Sequence, residues 1–387
     1  MTRHRKRKIA AAVKLCLLLA LPLGVAASAR GIPAVKSALS GFAEADLGKH
    51  DLVRQPDYDQ DSGCDPKEDI LSGALIVSQG YGTEPETREP GTDVKLLSPL
   101  EMVSADPGAK PYPADDQWTL DGNIVRTTYG KYSGDAFFDL ENGGQVNNKT
   151  DLSNDALISE SRCLPNFTIS DTDEPQVLIY HTHTTESFEP FVRENYDTSF
   201  NYRTTDDTKN IVMVGDAIEA ELEAAGIGVI HARTIHDYPS YNGSYGRSRE
   251  TILPILEQYP SIKVALDIHR DAISADGTAY QPFVNIAGKE AAQIMIISGC
   301  DDGTLGMPEY MKNFHFACSL QQQLESDWKG LTRPILFDYR HYNQDLTTGS
   351  LLIEVGSHGN TLDQVQYSGQ LIGRSLAELL LAVKEKK

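Results

Sequence analysis

Sulfur has little part in this chain. There are five cysteines in 387 residues, and none stands at the Cys-x-x-Cys spacing of a thiolate metal site. Cationic residues are also scarce, with 35 Lys and Arg against 55 Asp and Glu and a formal net charge of −20. That balance disfavours nucleic acid and anionic membrane surfaces as partners of the body of the protein. No Gly-x-Ser-x-Gly elbow occurs, and neither Ser187 nor Ser357 sits in a strand–turn–helix setting that would make it a nucleophile. A phosphate-binding glycine loop, internal repeats and low-complexity tracts are absent too. One long apolar run is present, residues 15–27, behind the basic cluster Arg3, Arg5, Lys6, Arg7 and Lys8. Lys14 and Pro22 shorten it below the roughly 20 residues of a spanning helix. Ala27-Ser28-Ala29 fits a small-residue cleavage site. Residues 1–29 therefore read as a signal peptide or membrane anchor. The rest is expected outside the cell, at the outer face of the membrane, with membrane contact through this segment.

Composition changes along the remainder. Residues 30–70 are acidic and broken by Pro and Gly, as a linker would be. Residues 71–170 carry short strand-like stretches at 74–77, 94–97, 123–126 and 136–138, a small β-rich region. From 171 to 387 strands alternate with helices. Strands are expected at 177–180, 228–230, 264–268, 293–298 and 351–355, and helices at 208–225, 247–257, 313–328 and 361–384. Gly226 stops the first helix. This order predicts an α/β domain, a mostly parallel sheet with helices on both faces. Cys64, Cys163, Cys300 and Cys318 lie beyond the leader, and export permits disulfides among them as readily as free thiols.

Three apolar runs end in chemistry. Val177-Leu178-Ile179-Tyr180 is followed by His181-Thr182-His183-Thr184-Thr185-Glu186. Val264-Ala265-Leu266 leads into Asp267-Ile268-His269-Arg270-Asp271, and Leu351-Leu352-Ile353 into Glu354-Val355-Gly356. In open α/β sheets ligands sit at the carboxyl ends of strands, so these ends read as one site. Imidazoles and carboxylates suit zinc, which in a catalytic site takes three protein ligands and leaves a position open. Alternate strand residues share a face, so His181 and His183 are expected to point the same way. His183, Glu186 and His269 are the preferred ligands, with His181 either a ligand or a group orienting one. Glu354 is the candidate general base, and Asp267 and Arg270 are supporting residues. Taken singly, each has a structural reading. A lone strand-end histidine is more often a hydrogen-bonded group, the reading given to His231, His236, His315, His341 and His358. Glu354 could be an ion-pair partner of Arg270 or Arg340.

The segment Tyr180-His181-Thr182-His183-Thr184-Thr185-Glu186-Ser187 resembles the signature of the stage II sporulation protein P family, exported cell-wall hydrolases of endospore-forming bacteria. Tyr241-Asn242-Gly243-Ser244-Tyr245, Asp267-Ile268-His269-Arg270-Asp271-Ala272, Tyr342-Asn343-Gln344-Asp345 and Leu352-Ile353-Glu354-Val355-Gly356 resemble the same family in the same order, over about 135–387. That family is similar in turn to zinc-dependent N-acetylmuramoyl-L-alanine amidases, in which a first His (His183 or His181), a middle His (His269) and a late Glu (Glu354) recur. The amidases carry their second ligand, a Glu, just before the first helix. Here Asp206-Asp207 stands there, and Glu186 lies earlier, inside the recognisable motif. The resemblance implies an amidase-like fold, a zinc ion, and peptidoglycan as substrate. It implies cleavage between N-acetylmuramic acid and L-alanine and of peptide cross-links. It also implies work alongside stage II sporulation proteins D and M during engulfment. Two other readings stay open: a non-catalytic wall-binding or scaffold module, and a metallopeptidase or deacetylase acting on another substrate.

Overall fold

A computed structural model describes residues 109–275 and 277–384. The expected leader, the linker, the strands at 74–77 and 94–97, and Cys64 lie outside the described residues.

The described chain builds two sheets. The larger has eight strands: β2 (Phe137–Asp139), β3 (Gln145–Asn148), β4 (Pro175–Tyr180), β6 (Gly228–His231), β7 (Val264–Asp271), β11 (Ile294–Cys300), β12 (Ile335–Tyr339) and β13 (Gly349–Ser357), in the order β2-β3-β12-β11-β13-β7-β4-β6. The pairs β2–β3 and β11–β13 are antiparallel, and all other neighbours are parallel. The smaller sheet runs β10 (Lys289–Ala292), β9 (Thr278–Ile286), β1 (Gly122–Thr127), β5 (Asn195–Tyr196), with β8 (Ser274–Ala275) against β9. The strands of 122–148 do not stand apart: β1 joins the smaller sheet and β2–β3 the larger.

Helices lie on both faces of the large sheet, as the alternating pattern predicts. Along β4, Val177 and Ile179 enter one core and Leu178 and Tyr180 the other, because successive strand side chains point to opposite faces. The first core is filled by α2 (Val212–Ala224), α4 (Tyr310–Asp327) and α5 (Leu362–Ala382), through residues such as Ile218, Phe314 and Leu376. The second face is packed by α3 (Ser244–Gln258), whose Ile252 and Ile255 meet Leu178, Tyr180 and Ala265. A short α1 (Asn154–Glu160) is capped by Ser153.

Two glycines set the spacing of α2 on α5. A Cβ on Gly369 would come within 2.8 Å of the Val214 carbonyl, and one on Gly373 within 2.9 Å of the Ile218 carbonyl. Lying one turn apart on one face, they let the two backbones approach. α5 begins with a capping box between Thr361 and Gln364. α2 starts at Val212 rather than near 208, because Asp206 and Thr208 form their own turn. Gly226, at φ +77°, ends it as expected.

Candidate metal and catalytic site

β4 ends at Tyr180, and residues 182–185 turn at once. Three threonines hold that turn. Thr182 gives its N–H (2.8 Å) and hydroxyl (2.7 Å) to Asp267, and Thr185 does the same to Asp237 at 3.0 and 2.7 Å. Thr184 donates to the His181 carbonyl at 2.9 Å. The two histidines therefore do not share a face, contrary to strand alternation. His181 turns towards α2, where its Nδ1 meets the Ile268 carbonyl at 2.9 Å and its Nε2 meets Nε2 of His231 at 2.8 Å. Both nitrogens are taken. A carbonyl only accepts, so His181 Nδ1 carries the proton and Nε2 accepts from His231. Burial first, and His231 second, hold His181 neutral.

His183 goes the other way. Its ring stacks on Tyr241 (centroids 4.5 Å apart) and meets Tyr245 and His269 edge-on at 5.6 and 5.1 Å. Nδ1 lies 3.3 Å from Ser244 Oγ. Burial, followed by the positive potential of His269, Arg203 and Arg270, keeps this imidazole well below its usual pKa. It is neutral at physiological pH, the form that binds a metal.

Glu186 is buried beside them. Its Oε2 accepts from the Arg270 N–H at 3.0 Å and lies 3.7 Å from His269 Nδ1. Its Oε1 lies 3.3 Å from Arg203, whose guanidinium also pairs with Asp237 and rests 4.8 Å from the centre of the Tyr241 ring. The Glu186 carbonyl accepts from Ile211 N–H at 2.7 Å. Glu186 is thus brought in space to Ile211, the residue that caps α2, though 25 residues earlier in sequence. Asp206 and Asp207 are exposed.

His269 comes from β7. Its Nε2 lies 2.8 Å from Asp267 Oδ1, an ion-pair contact that occupies this nitrogen. Burial favours the neutral ring, but Asp267, Glu186 and Glu354 override it and push the imidazole up to about 9. Glu354 stands directly beside His269 in the β13–β7 register. Its Oε2 is sealed and has no hydrogen-bond partner among the described residues. Burial and the nearby Asp271 push this carboxyl up to about 8, against the pull of His269 and Arg333. Neither arginine weighed as its partner pairs with it. Arg270 spends its guanidinium on the carbonyls of Ser187 (2.8 Å) and Tyr202 (2.9 Å), fixing the Glu186 loop to the strand end. Arg340 pairs with Asp338.

The spacing of Glu186 and His269 suits a shared divalent metal. A tetrahedral ion with bonds of about 2.0–2.1 Å sets its ligand atoms about 3.4 Å apart, close to the 3.7 Å between Glu186 Oε2 and His269 Nδ1. With Asp267 against Nε2, Nδ1 is the nitrogen left for an ion, the carboxylate–histidine–metal arrangement. Tighter groupings of three ligand atoms among the described residues lie elsewhere, and both are otherwise engaged. In Glu160, Cys163 and His315, the cysteine is disulfide-bonded. In Asp216, Glu219 and His231, Arg233 pairs with both carboxylates. Cys300 and Cys318 are free and buried.

The other histidines assigned structural roles have them. His236 bridges the His181 carbonyl and Thr251, His315 meets Glu160 and His341 meets Asp345. The aromatic wall of Tyr241, Tyr245 and Tyr342 carries no role in the sequence reading. The signal lay in two motifs, Tyr241–Tyr245 and Tyr342–Asp345, each recognisable but silent about where its rings point.

Several known proteins are similar to this chain. The CwlD amidase from Clostridioides difficile, solved in complex with the GerS lipoprotein, matches 53% of this chain and 98% of its own, at 12% identity and TM-score 0.35. The N-acetylmuramoyl-L-alanine amidase AmiC2 of Nostoc punctiforme matches 53% and 95%, at 13% identity and TM-score 0.33. Stage II sporulation protein P of Bacillus subtilis (strain 168) is 28% identical over 218 residues, 54% of this chain. The match spans about half, 51%, of that relative's length. The sequence model of the family described as Stage II sporulation protein P matches residues 100–377, most of the chain, and the protein belongs to that family.

Proposed function

We propose that the protein is a zinc-dependent peptidoglycan hydrolase. It cleaves the amide between N-acetylmuramic acid and L-alanine, and stem-peptide cross-links, which are the same kind of bond. The observation that carries this reading is the convergence of His183, Glu186 and His269 beside Glu354, whose Oε2 has no hydrogen-bond partner among the described residues. His183, Glu186 and His269 would hold the ion, while His181, with both nitrogens committed, would steady the Ile268 carbonyl next to His269. Zinc, when bound, polarises the scissile carbonyl and makes hydroxide available near neutral pH.

The chain's own groups do the rest. Asp267 fixes the His269 ring from behind. Tyr241 and Tyr245 cover His183 and keep bulk water from its ring. Glu354 Oε2 takes a proton from the attacking water and passes it to the leaving amine nitrogen. A carboxyl poised near neutrality does this well. Membership in a sporulation family, with the expected leader, supports action outside the cell membrane during engulfment, with stage II sporulation proteins D and M as partners.

The test is digestion of purified peptidoglycan by zinc-loaded and by chelated protein, with products identified by mass spectrometry. Release of peptides with a free L-alanine amine, lost on chelation and restored by zinc, is expected. Equal hydrolysis by thoroughly metal-free protein would exclude the metal. No hydrolysis with zinc, D and M all present would favour a wall-binding scaffold.

A further inference from the structure

Tyr342 is held in an unfavourable backbone conformation. Tyr342 and Asn343 both have left-handed φ, +42° and +55°, where bulky side chains rarely go. Three side chains that follow keep them there. Asn343 Nδ2 donates to the Tyr245 carbonyl (3.0 Å) and Ser248 Oγ (3.1 Å) on α3. Gln344 accepts from Gly299 N–H (2.8 Å) and donates to the Ile297 carbonyl (3.0 Å) on β11. Asp345 receives Arg249 at 2.7 Å through both oxygens. Such over-determination persists where a side chain must be aimed.

What it aims is the Tyr342 ring. That ring stacks on Tyr245 at 5.1 Å, and Tyr245 lies parallel to His269 at 6.3 Å, so one aromatic stack runs outward from the proposed ligands. Tyr342 also packs on the Met295, Ile297, Leu336 and Leu352 patch. Met295 is the strand neighbour of Glu354. Arg340 Nη1 donates to the Tyr342 hydroxyl at 2.5 Å. The hydroxyl oxygen therefore accepts, and its own proton is left to donate elsewhere. Arg340 Nε is taken by Asp338 at 2.9 Å, while Nη2 has no partner among the described residues. Both residues are partly exposed.

We infer that Arg340 and Tyr342 form a subsite for a carboxylate of the bound peptide, next to the proposed catalytic centre. The inference rests on the peptidoglycan-hydrolase reading for its choice of peptide. Arg340 and Tyr342, joined by one hydrogen bond, thus keep two donors, Nη2 and the phenolic O–H, that call for an acceptor. Asp338 offsets part of the guanidinium charge, which suits a singly charged carboxylate over a doubly charged phosphate. In a protein of net charge −20, this pair gives an acidic peptide a local cation to read.

The test uses two probes, N-acetylmuramoyl-L-alanyl-D-glutamic acid and its diamide. Binding to the zinc-loaded full chain is measured by calorimetry, and cleavage is followed in the same samples. Wild-type protein should bind the acid about ten- to a hundredfold more tightly than the diamide, the worth of a hydrogen bond to a charged group. Arg340→Gln should bring the two affinities together, Arg340→Lys should restore part of the gap, and Tyr342→Phe should narrow it. Melting curves confirm that each variant is folded. Equal affinity in the wild type, no binding of either probe, or a preference that survives Arg340→Gln overturns the subsite. Selective binding of the acid without cleavage of dipeptide or intact peptidoglycan would instead sink the hydrolase reading and leave the subsite standing. Cleavage of both probes without selectivity does the reverse.

Discussion

Replacing Glu354 with Gln should destroy turnover and leave the metal-free fold at least as stable as the wild type. Glutamine has the shape of glutamate but cannot accept a proton as a carboxylate does. General acid–base catalysis is worth about 10²–10⁴-fold, or about 3–5 kcal/mol of barrier. The stability arm follows from the environment. Glu354 Oε2 is sealed with no hydrogen-bond partner among the described residues, and the carboxyl is pushed from its ordinary 4.5 to about 8. Burial is the main cause and Asp271 the second. In the unfolded chain the group ionises near 4.5. In the folded chain it binds its proton until about 8. Between those values the folded state holds more protons, so stability falls as pH rises through the window. At about 1.4 kcal/mol per unit, the cost approaches about 3 kcal/mol at pH 7.

A glutamine side chain cannot ionise and escapes this cost. Metal-free Glu354→Gln should therefore melt at or above wild type at pH 8, and the gap should close by pH 4.5. Zinc content should stay near wild type, since Glu354 is not among the proposed ligands. Turnover on purified peptidoglycan, melting from pH 4.5 to 8 and zinc by mass spectrometry belong on one preparation. If instead the variant loses several degrees of melting temperature and keeps its turnover, Glu354 is a structural ion-pair partner and the base lies elsewhere. Breaking such a pair would cost about 3–5 kcal/mol.

His183→Ala and His269→Ala should lose zinc and activity together, whereas His181→Ala should retain measurable zinc with affinity weakened about 10–100-fold. Zinc titration in a chelator buffer reads the order, and the reverse order would make His181 the ligand. His358 is buried against Tyr196 and Tyr202 and held neutral down to about 3, by burial first and Arg270 second. Its stabilising share is complete above the unfolded value near 6.5 and is lost as pH falls towards 3, by about 1.4 kcal/mol per unit. His358→Phe, which keeps a ring and cannot titrate, should therefore lose less stability than wild type between pH 6.5 and 4, and parallel acid unfolding curves would contradict this. Gly373→Leu should lower the melting temperature, since even its Cβ would sit 2.7 Å from Glu221 Cβ and 2.9 Å from the Ile218 carbonyl. Overpacking of this kind costs about 1–3 kcal/mol, and an unchanged melting temperature would mean that α2 and α5 part easily.

Periodicity made most of the large sheet and its helices legible, because β4, β7 and β13 are buried on both faces and read as apolar runs. It failed at Thr278–Ile286, where Gln281, Pro282 and Asn285 interrupt the pattern. That strand is held by partners from far along the chain, β1 among them, which local sequence does not display. The site followed the same division. Residue types at strand ends brought His183, Glu186, His269 and Glu354 into view, since few other uses for such groups justify burying them. Direction was lost wherever the chain leaves regular geometry. Strand alternation put His181 beside His183, and a turn pinned by Asp267 and Asp237 parted them. Both carboxylates lie more than fifty residues downstream. The ring stack of Tyr245 and Tyr342 depends likewise on Asn343 reaching α3 and Gln344 reaching β11. What such a site needs in chemistry is written in its strand ends. Which way each side chain faces is written in the distant groups that satisfy its turns, and those become visible only once the sheet has brought them together.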